Sequence, residues 1–135
     1  MFVRAMVRDT GQEREARAGD GWLGNPAIAA GPATVDQANT ITVAAIQAGI
    51  WQRDGISADR IDTLPTAALI LAALPFMSDG DCYPFMVSNI DASHKITVAT
   101  ANGITLSGTV DVLLSTSRFF LIRRTSSTTI DVIGL

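Results

Sequence analysis

Apolar and polar residues alternate with a period of two over residues 82–133, which is the pattern of half-buried β-strands. The apolar positions of this pattern are Tyr83, Phe85, Val87, Ile96, Val98, Ile104, Leu106, Val110, Val112, Leu114, Ile130 and Val132. Turn signals such as Asn102-Gly103 separate the strands. Short strands at these intervals predict a mainly β fold, an antiparallel β-sandwich or open barrel of jelly-roll-like class.

One strand of this series carries large apolar residues on both of its faces. Phe119 and Leu121 alternate with Phe120 and Ile122, which predicts a strand that is buried on both sides. The adjacent pair Arg123-Arg124 is then expected on opposite faces near a solvated strand end. Within the first strand of the series, Pro84 favours an edge position, because proline has no N–H group for a strand ladder.

A short helix is predicted over residues 66–74, between two prolines. Pro65 suits the first turn, the run is mostly Ala and Leu, and Pro75 marks the end. Because this helix is apolar nearly all round, it should be covered on several sides, by a sheet face and by a neighbouring subunit as a further possibility. Upstream, the weaker alternation fits either a strand or a short helix over Val43–Ala48, and Trp51 is expected to pack in the core.

Residues 1–33 differ from the remainder and predict an extended N-terminal arm, followed by a β-sandwich domain over residues 34–135. Clustered charges and frequent Gly and Pro discourage long regular structure in the arm. Its apolar residues either contact a partner or pack back on the domain, if the arm is ordered at all. The candidate contacts with a capsid or another subunit are Phe2, Val3, Met6, Trp22 and Leu23.

Composition fits one compact domain and narrows the choice of partners. Of the 135 residues, 47% are hydrophobic and 17% charged, which argues against wholesale disorder. The net charge of −3 gives no reason to expect a nucleic-acid partner. Apolar runs are too short to cross a bilayer, and the N-terminus does not read as a signal peptide, so no membrane partner is expected.

The residues that could carry chemistry do not form a recognisable catalytic or metal-binding motif. His94 is the only histidine, and a relay drawn through Ser93 and Asp91 would need geometry that loop neighbours rarely hold. The run Asp79-Gly80-Asp81 resembles a calcium-loop fragment but reads better as a plain turn. With Cys82 as the only cysteine, a disulfide framework within the chain is excluded. We expect no enzyme activity, metal site or cofactor.

Several segments between residues 41 and 133 resemble a family of small structural proteins of tailed-phage virions. The likeness lies in DTLPTAA at residues 62–68, the Ala/Leu helix to residue 75, VSN at residues 87–89, TANGITLSGT at residues 100–109 and STSRF at residues 115–119. These are turn-and-strand patterns rather than catalytic motifs. Residues before position 41 lie outside the resemblance, which leaves open what the chain attaches to.

The resemblance implies a non-enzymatic capsid decoration (cement) protein on the surface of the virion. Its partners would be the major capsid protein and further copies of itself, as a trimer or a dimer. The alternative is a trimeric head-fibre or tail-fibre module, whose receptor-contacting tip would be the loop at residues 89–94 or at residues 125–128. An enzyme or carbohydrate-binding sandwich is a third possibility, because one fold hosts many functions.

Overall fold

The computed structural model describes residues 36–135, and this part of the chain is mainly β with two short helices. The predicted arm lies outside the described residues, together with Phe2, Val3, Met6, Trp22 and Leu23. The strands are β1 (Asn39–Thr40), β2 (Ile50–Arg53), β3 (Arg60–Thr63), β4 (Cys82–Asn89), β5 (Ile96–Ala99), β6 (Ile104–Gly108), β7 (Asp111–Val112), β8 (Thr116–Arg124) and β9 (Ile130–Gly134). The helices are α1 (Val43–Ala48) and α2 (Ala67–Ala73).

The strands of the described residues form two sheets, and the chain passes from one sheet to the other at each successive strand up to β8. The four-stranded sheet has the order β1-β3-β5-β7, and the five-stranded sheet has the order β2-β4-β8-β9-β6. The mainly β prediction is therefore confirmed, with two distinct sheets rather than one continuous sheet.

The prediction of an antiparallel arrangement, and with it the jelly-roll-like order, is wrong for about half of the strand pairs. The pairs β1/β3, β3/β5, β2/β4 and β6/β9 are parallel, whereas β4/β8, β8/β9 and β5/β7 are antiparallel. The physical reason is the winding of the chain. After most strands the chain crosses to the other sheet, and when it returns to the first sheet the next strand can run parallel to the earlier one. The alternation of side chains along a strand is the same in parallel and antiparallel pairs, so it does not predict this direction.

Both helices begin at a threonine whose side chain accepts a hydrogen bond from the first turn. The hydroxyl oxygen of Thr42 accepts from the amide of Ala45 at 3.1 Å, and that of Thr66 accepts from the amide of Leu69 at 3.4 Å. Gly49 ends α1 in the left-handed conformation, with φ of 90°. The helix predicted after Pro65 is confirmed, and the open choice at Val43–Ala48 is settled as a helix.

Neither β8 nor α2 is buried on more than one side within the described residues. The predicted burial of β8 on both sides is therefore wrong, whereas cover of α2 by a neighbouring subunit stays a prediction. In β8, Phe120 and Ile122 are buried, but Phe119 is 54% exposed and Leu121 only half-buried. In α2 only Ala67 and Ile70 are buried. Each element packs against the domain on one side, so its opposite apolar side lacks cover within the described part of the chain.

The edge position predicted from Pro84 applies to the residue rather than to the whole strand. Strand β4 lies between β2 and β8, but its pairing with β2 begins only at Met86, opposite Ile50. Pro84 pairs with Leu121 of β8 alone, so the sheet is locally at its edge there.

One buried cluster joins side chains from both sheets and both helices. Its members include Ile41, Ile46, Trp51, Leu64, Ile70, Phe85, Val87, Ile96, Val98, Val112, Phe120, Ile122, Ile130 and Val132. The rings of Phe85 and Phe120 stack at its centre with centroids 5.7 Å apart. Burial of Trp51 confirms its predicted place in the core.

Two glycines face each other where parallel strands β6 and β9 end, because the backbone segments approach too closely for a side chain. Gly108 pairs with Gly134, and the amide of Thr109 donates to the Gly134 carbonyl oxygen at 3.0 Å. A Cβ atom on Gly134 would lie 1.7 Å from the carbonyl oxygen of Thr109. Any larger residue at position 134 must therefore push the two segments apart.

We expect Gly134→Ala to lower the free energy of unfolding by about 3 kcal/mol, the upper part of the range for overpacking, because the new methyl group meets backbone. The matched control is Gly80→Ala, where a Cβ atom would meet open space and the cost of about 1 kcal/mol comes from the positive φ alone. Urea unfolding measures both. Equal midpoints for the two variants would contradict the close approach.

Candidate interaction surfaces

A fully buried ion pair connects the two sheets. Arg53 of β2 donates through its guanidinium group to the carboxylate of Asp62 in β3. The indole N–H of Trp51 donates to the second oxygen of the same carboxylate at 2.8 Å, and Arg53 also donates to the carbonyl oxygen of Gln37 at 2.9 Å. Burial of two charges is costly unless they are paired and hydrogen-bonded, which is the case here. We interpret this group as a structural connection.

The loop after β4 is organised around Asn89 and Asp91. The side-chain amide of buried Asn89 donates to the carbonyl oxygens of His94, at 2.7 Å, and Val112, at 3.2 Å. Asp91 accepts from the amides of Ser93, at 3.0 Å, and His94, at 2.8 Å, while a ring nitrogen of His94 lies 3.2 Å from the same carboxylate oxygen. The Asp91 carboxylate therefore holds the turn together.

The run Asp79-Gly80-Asp81 forms the predicted turn. Asp81 accepts from the amide of Ser78 at 2.8 Å, and Asp79 accepts from the guanidinium group of Arg124 at 2.9 Å. Gly80 has a φ of 90°. Both carboxylates thus have ordinary partners, and in the described residues no group of three or more His, Cys, Asp and Glu side chains is placed to hold a metal ion.

Arg123 and Arg124 have separate partners, in agreement with their predicted places on opposite faces of the strand. Arg123 forms an ion pair with Asp131 of β9 at 2.7 Å, whereas Arg124 turns toward Asp79 and the carbonyl oxygen of Met77. Both ion pairs lie near the surface. The thiol of Cys82, on the neighbouring strand, is exposed.

The five-stranded sheet has an exposed apolar side, which we call the outer face. Two adjacent rows of side chains cross the strands there, as the pairing register shows. The first row is Ile50, Met86, Phe119 and Leu135, and the second is Pro84, Leu121 and Ile133. Phe119 is 54% and Leu135 61% exposed. The opposite side of the same sheet contributes Phe85, Val87, Phe120 and Ile122 to the core, so the sheet is apolar on both sides.

A second exposed apolar area, which we call the helix surface, surrounds the outward side of α2. It consists of Ala68, Leu69, Ala72, Pro75 and Phe76. Leu69 is 56% and Phe76 66% exposed. The Phe76 ring contacts the ring of Tyr83 at 5.9 Å, and the Tyr83 hydroxyl group donates to the carbonyl oxygen of Gln47 at 2.8 Å. This chain of contacts fixes Phe76 against the domain.

An open cleft of about 330 Å³ lies between the ends of β4 and β8. Hydroxyl and amide groups line much of it, from Ser88, Asn89, Ile90, Ser115, Thr116 and Ser117. The hydroxyl group of Ser117 donates to that of Ser88 at 3.0 Å. The cleft adjoins the loop at residues 89–94, one of the two alternative loops for the tip of a fibre module.

Comparisons with protein-family models, with curated proteins and with solved structures find no match to this chain. Within residues 36–135, neither helix has the length and apolar character needed to span a bilayer.

Sequence reasoning missed both the inter-sheet ion pair and the outer face. Arg53 and Asp62 look like ordinary solvent-facing charges. Each lies two residues from a buried apolar residue, Trp51 and Leu64 respectively, and this spacing could have suggested an inward orientation, although Ile61 beside Asp62 suggests the opposite. The outer face was visible as two-sided apolar alternation at residues 119–122, but it was interpreted as burial.

We expect Asp62→Asn to lower the free energy of unfolding by about 3–5 kcal/mol, because it leaves the buried charge of Arg53 without its carboxylate. The control is Asp79→Ala, which removes an exposed partner of Arg124 and should cost at most about 1 kcal/mol. Urea unfolding followed by tryptophan fluorescence compares the two. If Asp62→Asn lowers the free energy of unfolding no more than the control does, the ion pair of Arg53 and Asp62 contributes little to stability.

We expect stability to decline as the pH is lowered below about 4, because the pKa of the Asp91 carboxyl group is lowered from its ordinary value of 3.8. The hydrogen bond from the Ser93 amide is the main cause, and the His94 contacts add to it. A lowered folded-state pKa stabilises the protein above the unfolded-state value, and this stabilisation is lost as the carboxylate is protonated.

Asp91→Asn should therefore reduce the decline of stability below pH about 4, whereas His94→Ala should largely preserve it, because the ring is a minor cause. Part of the decline should remain in Asp91→Asn, because hydrogen bonds from Ser57 and Thr97 lower the pKa of the Asp36 and Asp111 carboxyl groups as well. Urea unfolding between neutral and acidic pH provides the comparison. An equally steep decline in Asp91→Asn would assign the acid sensitivity to other groups.

Proposed function

We propose that the chain is a non-enzymatic structural protein of a phage virion, in which a sandwich-like arrangement of the two sheets binds the capsid shell and stabilises it. The observation that carries the proposal is the helix surface, an exposed apolar area on a well-packed domain. Contiguous exposed apolar areas on soluble proteins commonly mark contacts with other proteins.

The composition of the helix surface suits a protein partner. Residues 63–78 contain no charged side chain, so a partner would not have to desolvate charges on this segment. Phe76 and Leu69 offer large apolar side chains, and aromatic residues in such positions commonly contribute most to binding.

The helix surface is also held in place before any partner binds. Ile70 and Ala67 anchor α2 in the core, and Tyr83 supports Phe76 from the side. The Tyr83 hydroxyl group is a neutral hydrogen-bond donor at physiological pH, as an ordinary tyrosine is, and burial raises its pKa further. A surface that is already ordered loses less conformational entropy on binding, which favours affinity.

Stabilisation of a shell would follow from mass action. A protein that binds only the assembled shell shifts the equilibrium toward the assembled state by its binding free energy. Many copies on one shell add their contributions, and linkage between copies strengthens each weak contact.

The polar groups of the domain support a structural role. The carboxylates of Asp62, Asp79, Asp81 and Asp91 accept hydrogen bonds that hold strands and turns together. An acid, base or nucleophile would need a carboxylate directed at a substrate instead.

A fibre module that contacts a host receptor is the second candidate, and the cleft beside the loop at residues 89–94 favours it. Its hydroxyl and amide lining could hydrogen-bond to a polar receptor group. Successive crossings between two sheets with parallel neighbours also resemble the winding of β-helices, a class of elongated β architecture.

We expect a Leu69→Asp, Phe76→Asp variant to bind the capsid at least about thirtyfold more weakly than the unchanged chain, because truncation of central apolar contacts costs about 2 kcal/mol or more. The assay adds purified chain to capsids of the encoding phage that lack it and measures co-sedimentation and shell melting. The control is Ile61→Asp, an exposed apolar residue of β3 outside the helix surface.

Deletion of residues 1–33 should abolish shell binding if the arm contributes the contacts expected from its sequence. Full occupancy by the shortened chain would contradict that role for the arm.

Antibody labelling of intact particles separates the two candidate functions, since signal only at the tail would contradict decoration of the head.

A further inference from the structure

We propose that two copies of this chain associate face to face through the outer face, with a two-fold axis that runs between β8 and β9 and parallel to them. This inference concerns copies of the chain in solution and does not rest on the proposed function. It uses a different surface from the helix surface.

The pairing register of β8 and β9 makes the outer face complementary to itself. Across these strands Leu121 lies opposite Ile133, and Arg123 lies opposite Asp131. The amide of Leu135 donates to the carbonyl oxygen of Phe119 at 3.0 Å, which continues the same register by one residue pair. In each pair one residue thus belongs to β8 and the other to β9, at equal distances from a line midway between the two strands.

Rotation by 180° about an axis along that line, midway between two stacked sheets, exchanges the positions of β8 and β9. Phe119 of one copy then stands over Leu135 of the other, and Leu121 over Ile133. Sheets that stack face to face have their strands aligned within about 30° and lie roughly 10 Å apart, so these side chains can meet. Such an interface is isologous, because both copies use the same patch.

Charge complementarity favours this axis over a parallel axis along β8 or along β9. The axis places Arg123 of each copy over Asp131 of the other, where the two charges attract. An axis along either strand alone would place Arg123 over Arg123 or Asp131 over Asp131, and like charges opposed across an interface cost several kcal/mol. The apolar rows supply the contact area, and the charged pairs fix the register.

The overlap of the two outer faces is small, so the association should be weak. About this axis β4 of one copy lies over β6 of the other, and β2 lies beyond the overlap. Four strands at roughly 4.8 Å spacing, over roughly 20 Å of strand length, give about 400 Å² per copy, or about 800 Å² in total. Areas of this size are typical of transient complexes rather than of permanent dimers. The dimer should therefore dissociate on dilution.

The first experiment measures the mass of the full chain by sedimentation equilibrium over a range of concentrations. We expect twice the chain mass of 14.2 kDa at high concentration. Phe119→Asp should weaken dimerisation at least about thirtyfold, since it removes a central aromatic contact and buries a charge. Ile61→Asp is the matched control, an equally exposed residue outside the outer face, and should leave the dimer intact.

The second experiment tests the axis by charge exchange. Arg123→Glu alone and Asp131→Arg alone should each weaken the dimer at least about tenfold, because each opposes like charges across the interface. An equimolar mixture of the two variants should form a heterodimer, since every opposed pair is then attractive again. Loss of the ion pair within each chain cannot produce recovery on mixing, so recovery supports contact between copies.

Three results would overturn the proposal. The first is that the chain without substitutions stays monomeric up to about 1 mM. A dissociation constant of about 1 mM corresponds to a binding free energy of only about 4 kcal/mol. The second is a trimer, or a dimer that Phe119→Asp leaves as stable as Ile61→Asp does. The third is failure of the mixed charge variants to associate although each remains folded by circular dichroism.

Discussion

The buried contact between Arg53 and Asp62 is the interaction on which the relation between the two sheets depends. The two residues belong to β2 and β3, which follow each other along the chain and lie in different sheets, so their pairing fixes how the chain crosses between these two strands. Trp51 secures the carboxylate from the same strand as Arg53. A buried charged pair tolerates few alternative arrangements, because any shift of one strand leaves a charge without its partner. The apolar cluster provides most of the stabilisation around this group, but it would accept a slipped strand more readily than the ion pair would.

Apolar residues on both sides of β8 lead to the interaction surfaces. The core takes Phe120 and Ile122, and the alternation that directs them inward necessarily directs Phe119 and Leu121 outward. Helix α2 shows the same property, with Ile70 inside and Leu69 outside. A domain of this size could bury its core with polar residues at these outward positions. Their apolar character is therefore not required for folding, and the helix surface and the outer face are separate areas for the two proposed contacts.

Local features of the fold could be predicted from the sequence, whereas relations between distant segments could not. The helix after Pro65, the turns at Asn102-Gly103 and at Asp79-Gly80-Asp81, and the burial of Trp51 depend on neighbouring residues and are confirmed. Strand direction is different, since the pairing of Trp51 with Val87 depends on the path of the chain between them. The apolar character of the outer face could be predicted, but its exposure could not. Alternation showed that residues 119–122 are apolar on both sides, but which side the core would use depends on the neighbours of the strand.

The winding of the chain between the sheets also has a consequence for how the protein folds. In a meander of hairpins, each strand finds its partner as soon as the next turn forms. Here β2 pairs with β4, and β3 with β5, across an intervening strand of the other sheet. Closing these longer loops costs conformational entropy before the strand pairs form and compensate for it. Folding should accordingly be slow for a domain of this length. During that time partly folded chains expose the apolar rows around Phe119, and aggregation of these chains competes with folding. The rate of synthesis, and any chaperone that shields these rows, would then determine how much chain reaches its native form.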